Sequence, residues 1–284
     1  MTTVLVTGAT GLLGHALTAH FATRPYRLLR QSRGSSTEFS GDLGEAGFVA
    51  QMMEESAPDV VINLVALTNV DRCERHPAEA FASNVRTAEN LARLVASRPA
   101  THMIQISTDQ VYDGPGPHIE ADAAPSNIYA YSKYCAELYA LAAGATVLRT
   151  NFFGPGLPAR KSFSDWLIDG FARKTAMRLV TDVLFSPLHM DTLVRMIELV
   201  VSSPRPGVFN LGSRGGMSKR DFAHALARHL GFDAHDATDT TSAELGLHAR
   251  RPGDMRMDVT NFEQAFNVRQ PELKTEISLL ERAA

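Results

Sequence analysis

The sequence is poor in the residues that staple small scaffolds together. Cysteine occurs 2 times in 284 residues, as Cys73 and Cys135. Two thiols build neither a disulfide framework nor a structural metal site, so they read as reduced cysteines of a cytoplasmic protein. No His-x-x-x-His spacing occurs. Cys73 and His76 lie three apart, with no second pair to complete a zinc set, so no metal is expected. No basic, apolar, small-residue leader precedes the first apolar run, which predicts no signal peptide. The most apolar stretch, 60–67, is too short to cross a bilayer. Charge of one sign is also lacking. A formal net charge of −3 excludes general attraction to nucleic acid or to an anionic membrane surface. What is present is an ordinary globular balance, 44% hydrophobic and 21% charged, in a chain long enough to bury a full core.

The pattern of that core alternates strand and helix. The opening run Thr3-Val4-Leu5-Val6-Thr7 has strand character and stops at Gly8. After Gly11 and Gly14 the apolar period changes to that of a helix, through Leu12, Leu13, Ala16, Leu17 and Phe21. Residues 26–31 read as a second strand, 48–56 as a helix, and 60–67 as a strand buried on both faces. A single helix is expected over 77–96, a strand over 102–107, a helix over 127–143 and a strand over 146–151. This predicts an α/β fold with a doubly wound parallel sheet of Rossmann type over 1–150. A smaller C-terminal lobe, 151–284, is interleaved with the last sheet strands. In it, helices are expected over 163–173 and 189–201, a strand over 207–211, and a helix capped by Ser218 and ending at Gly231. From Asp233 to about Arg256 the chain reads as irregular.

Strand, glycine turn and helix together present free backbone N–H groups and a helix dipole to a diphosphate. Gly8 permits the turn, Gly11 the approach of the pyrophosphate, and Gly14 close packing of helix on sheet. The second strand ends Arg30-Gln31-Ser32-Arg33, without the acidic residue that would bind an adenosine ribose. Ser32 and Arg33 suit a 2′-phosphate instead, which favours NADP(H) over NAD(H). Asp42 and Leu43 are placed near the adenine. Tyr129 and Lys133 are four apart on one helix face. A lysine ammonium there stabilises phenolate, so that the phenol can act as an acid toward a carbonyl receiving hydride. Tyr131 is the competing acid, two residues from Lys133 and pointing elsewhere. Thr108, at the carboxyl end of a buried strand, can hydrogen-bond the substrate oxygen. Asn84 falls on a buried helix face and is expected to hold a backbone group or a water, or to belong to a proton path.

With these residues assembled, the chain resembles the extended short-chain dehydrogenase/reductases, and among them the dTDP-4-dehydrorhamnose reductase family. The resemblance rests on the Gly8 to Gly14 loop, NLVALTNVD from Asn63, FASNV from Phe81, STDQVYDG from Ser107, Tyr129 with Lys133, LRTN from Leu148, and Arg251-Pro252 with Asp258. It implies catalysis by Thr108, Tyr129 and Lys133. It implies cofactor contacts from Gly8, Thr10, Gly11, Leu12, Leu13, Ser32, Arg33, Asp42, Leu43, Val65, Ala66, Tyr129, Lys133 and Asn151. It implies substrate contacts from Thr68, Asn69, Thr108, Gln110, Asn151, Trp166 and Phe185. The substrate so implied is a nucleotide-linked 4-keto-6-deoxy sugar, reduced for deoxysugar or polysaccharide biosynthesis; a homodimer is one option for the assembly, which the sequence leaves open.

Rival readings on the same scaffold are a sugar epimerase or dehydratase, with Asp109 as the carboxylate beside Thr108. Another is a non-catalytic NADP-binding protein, similar to the regulatory subunit of methionine adenosyltransferase. One segment departs from the reductase pattern. Where that family carries Asp-Gln-x-Gly-x-Pro-Thr, this chain has Asp182-Val183-Leu184-Phe185-Ser186-Pro187-Leu188. Read as ligand-facing, Phe185 and Leu188 form an apolar wall that would make dTDP-4-dehydrorhamnose itself a poor substrate.

Overall fold

In the computed structural model, which describes residues 1–234 and 236–281, strand β1 (Thr3–Thr7) is buried throughout as an interior strand of a seven-stranded sheet. There follow α1 (Leu12–Phe21), β2 (Arg27–Ser32), β3 (Phe39–Ser40), α2 (Ala46–Ser56) and β4 (Val60–Asn63). Next come α3 (Val70–Arg75), α4 (Pro77–Phe81), α5 (Thr87–Ala96), β5 (His102–Thr108), α6 (Ile128–Ala142) and β6 (Thr146–Thr150). The sheet order is β3-β2-β1-β4-β5-β6, extended beyond β6 by Gly207–Leu211. The pairings from β3 across to β5 are parallel. Strand order reverses at β1, the point where ligands bind in open α/β sheets. The apolar faces of Leu5, Met52, Met53, Val61, Leu91, Met103 and Val147 pack together beneath it.

Three local features differ from the sequence expectation. The run 60–67 leaves the sheet at Asn63, because polar side chains stitch its end. Asn63 Oδ1 accepts from Thr7 Oγ1 at 2.8 Å and from Val65 N at 3.2 Å, while Nδ2 donates to Gln105 Oε1 at 2.8 Å. Asn69 then caps the short helix α3, which the pattern did not announce, by accepting from Arg72 N at 2.9 Å. The helix expected over 77–96 is interrupted by a π turn at Ala82–Arg86. The wider turn carries Asn84, whose Oδ1 accepts from Leu67 N at 2.6 Å and whose Nδ2 donates to Ser132 Oγ at 2.8 Å.

The remaining elements are β7 (Phe152–Phe153), α7 (Phe163–Ala172), β8 (Met177–Val180), β9 (Leu184–Phe185), β10 (Leu188–His189) and α8 (Met190–Ser202). They continue with β11 (Gly207–Leu211), β12 (Met217–Ser218), α9 (Lys219–Leu230), β13 (Ala237–Thr240), α10 (Thr260–Phe266) and α11 (Leu273–Ile277). Ser162 and Asp165 form a capping box on α7. Ser218 caps α9, and Gly231 ends it at φ 70°. Buried Glu276 accepts from His189 N at 2.7 Å and Thr192 Oγ1 at 3.0 Å, which anchors the positive end of α8. The stretch read as irregular from Asp233 contains β13, parallel to β8.

The chain forms two units. One comprises Met1–Thr108, Asn127–Arg149 and Val194–Phe209; the other comprises Asp109–Ser126, Thr150–Leu193 and the described chain from Asn210. A single cut at 150 therefore differs from the observed division at two stretches, since 109–126 joins the second unit and 194–209 the first. The second unit has its own core, with Phe222 edge-on to Phe153 at 4.9 Å and to Phe185 at 5.4 Å. Residues 235 and 282–284, within the expected C-terminal lobe, lie outside the described residues.

Candidate active site

The glycine loop has the geometry its spacing implies. Gly8 sits at φ 69°, in the region that favours glycine, and its carbonyl accepts from Gly11 N at 3.0 Å. A Cβ on Gly14 would lie 2.5 Å from that same carbonyl, so only glycine lets α1 start this close to β1. Gly11 caps α1 without any side-chain hydrogen bond, which leaves the first-turn amides for an anion. Gln31, fully buried, was not foreseen. Its Oε1 accepts from Gly8 N at 3.3 Å and its Nε2 donates to Gly41 O at 2.8 Å, so it ties the loop to the end of β2. Thr10, Leu12 and Leu13 ride on this loop and on the first turn of α1.

At the adenosine end the expected residues separate. Ser32 is buried, bonded to Gly34 O at 3.0 Å and Thr37 Oγ1 at 3.1 Å, so it shapes the turn and does not face outward as expected. Arg30 is taken by Glu38, with Nε to Oε2 at 3.0 Å and a terminal nitrogen to Oε1 at 2.7 Å. Arg33 is exposed and makes no ion pair or hydrogen bond among the described residues. Exposed Ser35 and Ser36 follow it. This free guanidinium beside hydroxyls fits a 2′-phosphate. Asp42 is exposed and closes a turn on Gly44 N at 2.8 Å. The Leu43 side chain lies in the sheet core, so only its backbone is left for an adenine.

The three residues expected to do acid–base work are all buried. Thr108 ends β5, and Tyr129 and Lys133 lie one turn apart on α6, all three buried. Lys133 Nζ donates to Ile106 O at 2.6 Å, which fixes the α6 face against the last residues of β5. Burial lowers the Lys133 ammonium to about 8, with Glu137 pulling the other way. Tyr131 is 49% exposed, on the opposite face from this group. Asn84 is held through Ser132, whose Oγ donates to Tyr129 O at 2.8 Å, so its role here is to fix backbone. Val65 and Ala66 are half-buried and Thr68 is exposed in the loop after β4, where the Asn69 side chain is engaged as the α3 cap.

In the second unit a cavity of about 460 Å³ is lined by Phe163, Trp166, Leu179, Val180, Lys219 and Leu245, among others. Trp166 stacks on Phe163, with centroids 6.0 Å apart and planes 17° from parallel. The Lys219 ammonium lies 5.7 Å from the Phe163 ring centre and makes no ion pair or hydrogen bond among the described residues. Burial lowers its pKa, Asp109 opposes that shift, and Arg251 adds to it. An aromatic platform with a free cation suits a nucleoside phosphate. Asn151 Nδ2 donates to Asp109 Oδ2 at 2.6 Å, and Gln110 follows in the same short 3₁₀ turn. Phe185 is not on the cavity wall. It is 3% exposed, edge-on to Phe163 and Phe222, and Leu188 is fully buried. The apolar wall expected from the 182–188 segment is therefore core packing.

Two buried charged residues went unnoticed in the sequence. Glu137 lies one turn beyond Lys133, and Arg149 lies on β6; they pair at 2.6 Å. A lone arginine inside an apolar strand run was the available signal.

The profile of the family described as RmlD substrate binding domain matches residues 1–282. The spore coat polysaccharide biosynthesis protein SpsK of Bacillus subtilis is 30% identical over 271 residues, covering 93% of this chain and 92% of that one. A dTDP-4-dehydrorhamnose reductase of Sinorhizobium fredii is 29% identical over 286 residues, covering 94% and 92%. The crystal structure of a dTDP-4-dehydrorhamnose reductase from Clostridium acetobutylicum superposes with a TM-score of 0.89 at 26% identity, covering 98% of both chains.

Proposed function

The chain belongs to the RmlD substrate binding domain family, and we propose that it is an NADPH-dependent reductase of a nucleotide-linked 4-keto-6-deoxy sugar, acting in the cytoplasm in deoxysugar or polysaccharide biosynthesis. The observation that carries this reading is the burial of Thr108 at the end of β5 and of Tyr129 and Lys133 one turn apart on α6, with the lysine fixed on Ile106 O at 2.6 Å. When bound, NADPH supplies hydride to the ketone carbon. The Thr108 hydroxyl and the Tyr129 phenol hydrogen-bond the ketone oxygen, and Tyr129 gives it a proton as charge develops there. The Lys133 ammonium stabilises the phenolate left behind.

The amides of Gly11, Leu12 and Leu13, with Gly8 and Thr10 shaping the turn, hold the pyrophosphate. Arg33 pairs with the 2′-phosphate. Leu43, Val65 and Ala66 flank the adenosine through backbone and apolar surface. Trp166 stacks on the nucleotide base, and Lys219 neutralises a phosphate. Within the first unit, Thr68 and Asn69 offer polar groups to the sugar.

Asp109 argues against the dehydratase alternative. Its carboxylate is 1% exposed and already bound to Asn151, so it is poorly placed to remove a substrate proton. The exposed Phe81 of α4, with Tyr131, Leu138 and Tyr139 of α6, supports a homodimer through this face. Light scattering in solution tests that point. The main test is NADPH oxidation with dTDP-4-dehydrorhamnose and with other 4-keto sugar nucleotides. A reductase consumes cofactor in proportion to product. An unchanged NADPH level with an epimerised or dehydrated sugar would replace this reading by its rival.

A further inference from the structure

One helical turn past Lys133 on α6 lies a charge that the mechanism above does not use. Glu137 is completely buried, one helical turn past Lys133 and two past Tyr129. Arg149, from the neighbouring strand β6, grips it with a fork. Nε lies 3.0 and 3.1 Å from its two oxygens, and a terminal nitrogen lies 2.6 Å from Oε2. The third partner is Ser107 on β5, whose hydroxyl donates to Oε1. Ser107 stands between Ile106, whose carbonyl receives the Lys133 ammonium, and Thr108.

Two adjacent residues of β5 are thus sutured to α6 by two side chains one turn apart. The first stitch is Lys133 to Ile106, and the second is Ser107 to Glu137. Stability alone gives little reason for the second. A buried ion pair must repay the desolvation of both charges, and apolar replacements of similar volume serve a core as well or better. What an apolar pair could not do is hold Thr108 in register with Tyr129. Nor could it place a negative charge one turn from the catalytic ammonium.

We propose that Glu137, clamped by Arg149, is a positioning residue for the reduction: through Ser107 it sets Thr108 against Tyr129, and through its charge it keeps Lys133 protonated. This rests on the reductase reading given above. The other groups around Lys133 leave that task to Glu137. On β5, Ile106, Ser107 and Thr108 carry no charge. On the π turn and α5, the buried Asn84, Thr87, Ala88 and Leu91 do not titrate. Arg149 opposes a positive charge. Glu74 of α3 is bonded to Ile128 N at 3.0 Å, at the first residue of α6.

The experiment compares wild type with Glu137→Gln, Glu137→Asp and Ser107→Ala. In Glu137→Gln, kcat should fall about tenfold or more, the scale of a small misplacement of reacting groups, while KM for NADPH and keto sugar stays within about twofold. Glu137→Asp should recover part of kcat. Ser107→Ala, which leaves the ion pair in place, should also lower kcat alone, and it decides the matter if Glu137→Gln does not fold. The ε-carbon resonance of Lys133 reads the charge without turnover, and its titration midpoint should move down in Glu137→Gln. Unchanged kcat in the folded variants, equal losses in kcat and KM, or an unmoved lysine titration would each overturn the role of Glu137. Wild type that turns over no 4-keto sugar nucleotide would instead overturn the reductase reading, and the lysine titration would still judge the electrostatic link.

Discussion

Lys133 Nζ donates to the carbonyl oxygen of Ile106 at 2.6 Å, which binds the middle of one helix to the end of one strand two residues before the site threonine. This contact occupies one of the three ammonium donors and leaves the others for the partners proposed above.

Tyr129→Phe should lower reduction by at least about a hundredfold, the scale of a positioned general acid. The ring still fills its site, so NADPH affinity should hold, as read by fluorescence titration. A variant that turns over like wild type would shift the acid role to another residue.

The pH dependence of Lys133 carries two opposite signs. Its folded value is about 8, whereas the same group in an unfolded chain titrates near ~10.4. Between those limits the unfolded chain binds more protons, so folded stability should climb with pH there, and the penalty of burial is complete below the lower limit. Lys219, also lowered by burial, adds to the same slope. Turnover should run the other way, falling as pH rises through about 8, because the mechanism needs the ammonium charged. Urea unfolding and kcat measured across this range should slope oppositely. A kcat that holds at alkaline pH would remove the charged lysine from the reaction.

Arg33→Ala should erase most of the preference for NADPH over NADH, a gap of about 1–3 kcal/mol for one charge-assisted phosphate contact. Calorimetric titration with both cofactors gives the answer. If the wild-type protein binds them alike, Arg33 is a surface charge without a ligand.

Trp166→Ala should raise KM for the sugar nucleotide by roughly tenfold, in line with about 1–3 kcal/mol for stacking of a base. The side chain is 45% exposed, so the melting temperature should move little. Equal KM in the variant would place the base elsewhere.

Phe185→Gly should behave in the opposite fashion. The side chain is 3% exposed and packs edge-on against two aromatic rings, those of Phe163 and Phe222. Its loss should destabilise by about 3–5 kcal/mol without widening substrate choice. Wild type should accept dTDP-4-dehydrorhamnose. A folded Phe185→Gly variant with a new sugar preference would return this residue to the ligand.

The sheet was legible because its inner strands carry buried apolar runs such as Val4–Val6 and Val60–Ile62, and because the glycines at 8, 11 and 14 stand between a strand and a helix. Tyr129 and Lys133 were legible for a similar reason, since a four-residue step on a helix dictates a shared face. The π turn was not legible. Widening one turn changes no residue type, and only the contacts of Asn84 with Leu67 and Ser132 reveal it. The burial of Phe185 and Ser32 was hidden likewise, because a residue in a two-residue strand or at a strand end can point either way. Glu137 and Arg149 were missed because each reads as a surface charge until its partner is found on another element.

The exposure of Arg33 has a consequence for adaptation. It supports no neighbour and fills no packed space, while Arg30, three residues earlier, is committed to Glu38. Exchange at Arg33 therefore has little effect on folding, and such surface changes usually fall within about 0.5 kcal/mol. With Arg33 holding the 2′-phosphate as proposed, reductant choice would be inherited separately from the scaffold. A lineage could move this chain from one nicotinamide pool to another by altering a single exterior side chain, with the glycine turn, the sheet and the proton donor left as they are.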